Sequence, residues 1–140
     1  RFAGLFYLDL DNFKLVNDVH GHHVGDKVII ALRDLMIEYS RPGDVMARLG
    51  GDEFAMWLNG IPENVARGRA EELVKAGETL RRFSGDAGHP LGLSVGVAIY
   101  EPDAEESLED LLARADAAMY EVKRTGKGGY EIAPPPGSAT

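Results

Sequence analysis

A chain of 140 residues with 44% hydrophobic content is sized for one domain with its own core. Its formal net charge of −8 argues against nucleic acid or an anionic membrane surface as the main partner. The absence of cysteine excludes a disulfide framework and thiol chemistry, and no apolar run is long enough to span a bilayer or arranged as a signal peptide.

The first predicted element is an apolar strand over 2–8 that runs into Asp9-Leu10-Asp11. A short helix follows over 12–19, with Asp11 read as its cap, and a longer helix over 24–40. Val28, Leu32, Leu35, Met36 and Tyr39 recur in the longer helix at helical spacing, and Arg41-Pro42-Gly43 stops it. Strand-like residues at 45–49 and 54–58 flank Gly50-Gly51-Asp52-Glu53, which reads as a β-hairpin with a glycine tip at positive φ. Strand alternation sends Asp52 and Glu53 to opposite faces unless the turn re-aims one. A helix is predicted over 64–83, although Gly68 and Gly77 interrupt its regularity. A strand over 91–100 comes next. Ser107-x-x-Asp110 then resembles a capping box, heading a helix with Leu108, Leu111, Leu112, Ala115, Met119 and Val122 on one face. Gly126 ends that helix, Tyr130–Ile132 reads as an edge strand, and the proline-rich stretch 133–140 reads as a disordered tail or linker. This order implies an α+β domain with a central, mainly antiparallel sheet flanked by helices.

The chemistry concentrates at two acidic clusters. Asp9 ends one strand and Asp52 opens another, so neighbouring strands would bring the two carboxylates together. Like charges held close make sense mainly around a divalent cation, and oxygen-only ligands suit Mg²⁺ or Mn²⁺. An ordinary hairpin with solvated acids is the competing reading. Lys14 heads a helix where amide N–H groups point outward, a combination that suits phosphate; it reads equally as a solvated surface lysine. Asn17 and Asp26 have the donors and acceptors to read a guanine edge, or they cap a turn and start a helix. Arg41-x-x-Asp44 offers a fork and an acceptor for a nucleotide, or closes a helix-stop turn with a local ion pair. Gly21-x-x-x-Gly25-Asp26-Lys27 lacks the spacing of a P-loop, and His20, His22 and His23 lack the helical pairing of a zinc site.

Several blocks in order carry a resemblance. Asp9-Leu10-Asp11-Asn12-Phe13-Lys14-x-x-Asn17-Asp18, Gly21-His22, Gly25-Asp26, Arg48-Leu49-Gly50-Gly51-Asp52-Glu53-Phe54, Ser94-Val95-Gly96-Val97-Ala98 and Arg114-Ala115-Asp116-x-Ala118-Met119-Tyr120-x-x-Lys123 span nearly the whole chain. Together they resemble the diguanylate cyclase (GGDEF) family. The resemblance implies a ferredoxin-like, nucleotide-cyclase fold over 1–132 and condensation of two GTP into cyclic di-GMP with release of pyrophosphate. It implies two Mg²⁺ or Mn²⁺ ions per site, held by Asp9, the Leu10 carbonyl, Asp52 and Glu53. Asp52, Glu53 and Lys14 are then catalytic, and Asn17, Asp26, Phe13, Gly50, Gly51, Lys123 and Lys127 bind substrate. Family members often carry arginine then asparagine where this chain has Lys127-Gly128, a change that keeps charge but loses the bidentate fork.

The same resemblance implies product inhibition by cyclic di-GMP at Arg41 and Asp44. A homodimer is needed for catalysis, because each domain binds one GTP. The location is cytoplasmic, in a parent protein that carries a sensor or regulatory domain and is itself open to membrane anchoring. Relatives carry a helix and wide turn ahead of the first strand that this chain lacks, so the isolated domain is expected to be largely monomeric and weakly active. The alternative is a non-catalytic GTP or cyclic di-GMP receptor module that regulates a partner domain.

Overall fold

The computed structural model describes residues 2–137. Its centre is the first strand, β1 (Ala3–Asp11), which pairs antiparallel with β3 (Glu53–Asn59) on one side and β4 (Gly92–Tyr100) on the other. β2 (Val45–Arg48) adds to β3 antiparallel, and β5 (Tyr130–Ile132) adds to β4 in parallel, giving the order β2-β3-β1-β4-β5. A central strand must be apolar on both faces. β1 meets that demand until its last three residues, where Asp9 and Asp11 replace apolar side chains on one face.

The two faces have different cores. Phe6, Leu8 and Leu10 of β1 join Phe54, Met56, Leu58, Leu93, Val95 and Val97 beneath α1 (Phe13–His20), α2 (His22–Glu38) and α3 (Glu63–Gly77). The other face is smaller in residue size: Leu5, Ala55 and Ala98 pack against Leu111, Ala115 and Ala118 of α4 (Leu108–Arg124). Small residues let the α4 backbone settle directly on the sheet. A Cβ at Gly96 would overlap the Ala115 carbonyl and the Met119 amide. Ser107 caps α4 by accepting from the Asp110 amide at 3.0 Å, as the capping-box spacing predicts.

Three boundaries differ from the sequence reading. The long helix starts at His22, because Gly21 at φ 88 makes the whole break between α1 and α2. The helix predicted over 64–83 stops at Gly77, where the chain presses against Leu93 and continues to Phe83 as a tighter 3-10 helix. The stretch expected to be unstructured from 133 is docked at its start. The Ala133 amide donates to the Val97 carbonyl at 2.7 Å, and Arg114 Nη1 donates to the Pro134 carbonyl at 2.8 Å. Residues 138–140 of that stretch lie outside the described residues. Among the described residues, no helix is long and apolar enough to cross a membrane.

Candidate active site

The acidic end of β1 is where the candidate residues meet. Asp9 lies opposite Glu53 of β3 and Ser94 of β4. The Leu10 amide donates to the Asp52 carbonyl at 3.1 Å, which carries the ladder one residue into the turn. Alternation would send Asp52 and Glu53 to opposite faces, yet both carboxylates act on Asp9, and that of Asp52 lies within hydrogen-bonding reach of it. The turn re-aims Asp52. Its conformation is held by Arg48, whose Nε donates to the Gly50 carbonyl at 3.0 Å and whose Nη2 donates to the Gly51 carbonyl at 2.6 Å. Gly50 and Gly51 do not take the positive φ that the hairpin reading expected of them. What they contribute is bareness: a Cβ at Gly51 would touch nothing, and one at Gly50 would stand 4.0 Å from Glu53 Oε1.

Burial dominates the electrostatics of Asp9. Loss of solvent raises its carboxyl to about 7, the Lys123 ammonium opposes that rise, and Asp52 and Glu53 add to it. Asp9 Oδ1 is buried with no hydrogen-bond partner among the described residues. Glu53 Oε1 accepts from the Tyr7 hydroxyl at 3.0 Å. Burial, then that bond, raise the Tyr7 phenol above its ordinary range. Lys123 crosses from α4 to donate to the Leu10 carbonyl at 3.0 Å, 3.7 Å from Asp9 Oδ1 and 2.9 Å from Asp11 Oδ1.

The donor set fits a divalent cation. An orphaned carboxylate oxygen on Asp9, the adjacent Asp52 carboxylate and the Leu10 carbonyl are hard oxygen ligands on converging elements. Among the described residues no three carboxylate, imidazole or thiol side chains form a metal cage by themselves.

Asp11 corrects the sequence reading. The cap position of α1 belongs to Asn12, at φ 61, with no side-chain capping bond. Asp11 is instead buried in the sheet, because period-2 alternation puts it on the Asp9 face beneath α4. It accepts from Ser94 Oγ at 2.6 Å and from the Gly128 amide at 2.9 Å.

The remaining candidates form a second group around α1. Lys14 is 89% exposed and pairs with Asp18 at 2.8 Å. Lys127 Nζ donates to Asn12 Oδ1 at 3.2 Å, just ahead of the uncapped first turn of α1. Asn17 Oδ1 is buried without a partner among the described residues. It lies so close to Gly25 that any Cβ there would collide with it, and Phe13 packs alongside. Asp26 is exposed on α2, just past its first turn.

Arg41 and Asp44 lie elsewhere. Asp44 accepts from the amides of Arg41 at 2.8 Å and Asn59 at 3.3 Å, and Arg41 Nη2 donates to the Asn59 carbonyl at 2.6 Å. Asn59 pairs with Ala3 at the far end of β1, so this cluster is about 20 Å from Asp9 along the strand. A surface cavity of about 800 Å³ is formed by α4 and the docked tail, away from the acidic cluster.

A sequence profile described as "Diguanylate cyclase, GGDEF domain" matches residues 1–129. The chain belongs to the GGDEF family. The motif that names the family is Gly50-Gly51-Asp52-Glu53-Phe54, the turn that brings Asp52 to Asp9. One relative is the bifunctional diguanylate cyclase/cyclic di-GMP phosphodiesterase MucR of Pseudomonas aeruginosa, 40% identical over 93% of this chain and 18% of its own length. Another is diguanylate cyclase DgcS of Shewanella oneidensis, 33% identical over 94% of this chain and 43% of its own length. The chain therefore spans less than half of these relatives. Among solved structures, the GGDEF domain of DgcB from Caulobacter crescentus in complex with c-di-GMP superposes with a TM-score of 0.82 and 32% identity, covering 94% of this chain and 77% of that one. The observed sheet and helices are those of the GGDEF nucleotide-cyclase fold.

Proposed function

We propose that this GGDEF domain condenses two GTP molecules into cyclic di-GMP and pyrophosphate. The observation that carries the reading is the convergence of Asp9 and Asp52 around a buried carboxylate oxygen that has no hydrogen bond, beside the Leu10 carbonyl. In each half-reaction a 3′-hydroxyl oxygen of one GTP forms a bond to the α-phosphorus of the other. The bond from that phosphorus to the bridging oxygen breaks, pyrophosphate leaves, and the hydroxyl proton passes to a base. Asp9, the Leu10 carbonyl and Asp52 are the residues that would hold Mg²⁺ or Mn²⁺, which supplies activation of the hydroxyl and neutralises the leaving pyrophosphate. Glu53, oriented by Tyr7, stands at the edge of this set to complete it or to take the hydroxyl proton.

Phosphate binding falls to Lys123, Lys127, Lys14 and the uncapped amides of α1. Asn17 and Asp26 read the guanine edge, with Asn17 Oδ1 waiting for a donor and Phe13 beside it. The bare Gly50-Gly51 tip lets the nucleotide approach the backbone. One domain carries one such half-site, so catalysis needs a second copy facing it. The relatives' greater length supports a parent protein in which a sensor or regulatory domain controls that pairing. Product inhibition is assigned to Arg41 and Asp44, whose ion pair would open to receive cyclic di-GMP.

The test is to incubate the concentrated chain with GTP and Mg²⁺ and separate the nucleotides chromatographically, with Asp52→Asn in parallel. Cyclic di-GMP from the parent chain and none from the variant is the expected result. GTP binding without product, even after fusion to a dimerising helix, would overturn catalysis and leave a nucleotide receptor.

A further inference from the structure

Asp11 is a buried carboxylate with no part in the chemistry above. It is 2% exposed, and both of its oxygens are engaged. Oδ1 accepts from Ser94 Oγ at 2.6 Å and pairs with Lys123 Nζ at 2.9 Å, while Oδ2 accepts from the Gly128 amide at 2.9 Å. A carboxylate is expensive to bury unless it is paired and hydrogen-bonded, so this arrangement holds its partners as firmly as they hold it. Those partners are telling. Lys123 is the cation that reaches the Leu10 carbonyl at 3.0 Å. Gly128 follows Lys127, a non-glycine residue at φ 66 whose Nζ reaches Asn12 Oδ1 at the head of α1.

We propose that Asp11 is the positioning residue that sets both phosphate-binding lysines, Lys123 by direct ion pairing and Lys127 through the Gly128 amide. The proposal rests on the cyclase reading for what those lysines bind. A free lysine side chain loses much rotamer freedom when it grips a phosphate. Asp11 removes that freedom from Lys123 before the nucleotide arrives, which is preorganisation. It also ties the end of α4 to β1 and β4, so both lysines keep one spacing relative to Asp9. Buried beneath α4, Asp11 acts through these lysines.

The test measures GTP binding by calorimetry in EDTA, where turnover plays no part, for the parent chain, Asp11→Asn, Lys123→Gln and the double variant. Asp11→Asn keeps the volume and one oxygen acceptor but discards the charge. It is expected to weaken GTP binding by about tenfold while circular dichroism stays native. Lys123→Gln alone is expected to cost a similar factor, and on the Asp11→Asn background much less, because the two act as one unit. Losses that multiply, or an Asp11→Asn chain that binds GTP like the parent, would overturn the proposal while leaving the cyclase reading intact. A parent chain that fails to bind GTP both in EDTA and with Mg²⁺ restored would sink the cyclase reading and this one with it. Should Asp11→Asn not fold, ¹⁵N-lysine labelling of the intact chain decides. A distinct, slowly exchanging Lys123 ammonium signal is expected, and a signal averaged with the surface lysines would overturn the proposal.

Discussion

Replacing Gly96 by alanine tests the packing of α4 on the sheet and its link to the site. The added Cβ meets backbone, the Ala115 carbonyl and the Met119 amide, and neither can rotate away. The helix must lift or β4 must sag. Overpacking of this kind costs about 3 kcal/mol when the neighbours are backbone, the upper part of the usual range. At about 2.1 cal/mol/K per residue, 140 residues give an unfolding entropy of about 0.29 kcal/mol/K, so the melting midpoint falls by about 10 °C. Lys123 is one helical turn beyond Met119, so the same displacement carries the ammonium away from Leu10 and Asp11. Gly96→Ala should therefore lose GTP affinity in the fraction that remains folded. Thermal and urea unfolding, with GTP titration at a temperature where the variant is native, measure both effects. A midpoint within about 2 °C of the parent would refute the close-contact argument, since that shift corresponds to roughly 0.6 kcal/mol.

Arg48→Ala should lower turnover by about tenfold, because it removes two bonds that hold the turn carrying Asp52, and should cost about 1 kcal/mol of stability through the lost contact of its guanidinium with the Phe54 ring; steady-state kinetics beside a melting curve check this. Arg114→Met leaves Glu106, 4% exposed, without its cation and frees Pro134, so urea unfolding should report a loss of about 3 kcal/mol that Glu106→Gln partly restores. Tyr7→Phe removes the donor to Glu53 Oε1 and should cost about 1 kcal/mol in stability, with kcat falling more than GTP affinity. The Asp9 carboxyl is raised from 3.8 to about 7, so the metal-free folded chain binds a proton that the unfolded chain releases between those values. Stability in EDTA should therefore fall as pH rises from about 4 to 7, and Asp9→Asn should remove that slope; a parent chain whose stability rises relative to the variant over this window would contradict the burial argument.

Much of the fold was legible because the faces are periodic. Strand alternation in β1 and helical spacing in α2 and α4 survive tertiary packing, since each element buries one dominant face or, for β1, two. The end of α3 was legible only as an irregularity at Gly77, because what places the break there is the close approach of Leu93 from a strand sixteen residues later. The docking of Ala133 escaped for a similar reason: proline-rich composition describes the solvent preference of the segment, while its place is fixed by Val97 and Arg114. At the site, the union of Asp9 and Asp52 followed from their strand ends. The role of Asp11 was present in the sequence as a second acid on the Asp9 face, but a helix beginning two residues later drew it into a capping role. Tyr7 shares that face as well, and no spacing rule distinguishes a tyrosine that orients Glu53 from one that fills the core.

The central position of β1 shapes how this chain comes into being. β1 precedes both of its partners, residues 53–59 and 92–100, so Phe6, Leu8 and Leu10 have no complete shelter until about ninety further residues have been synthesised. At about 5–20 residues per second, that is roughly 5–20 s of exposure for the central strand of the sheet. Folding is accordingly a late, all-together event dominated by long-range pairing, and a nascent chain arrested before β4 holds an unsheltered apolar ribbon that a chaperone, or another unfinished copy, is free to bind.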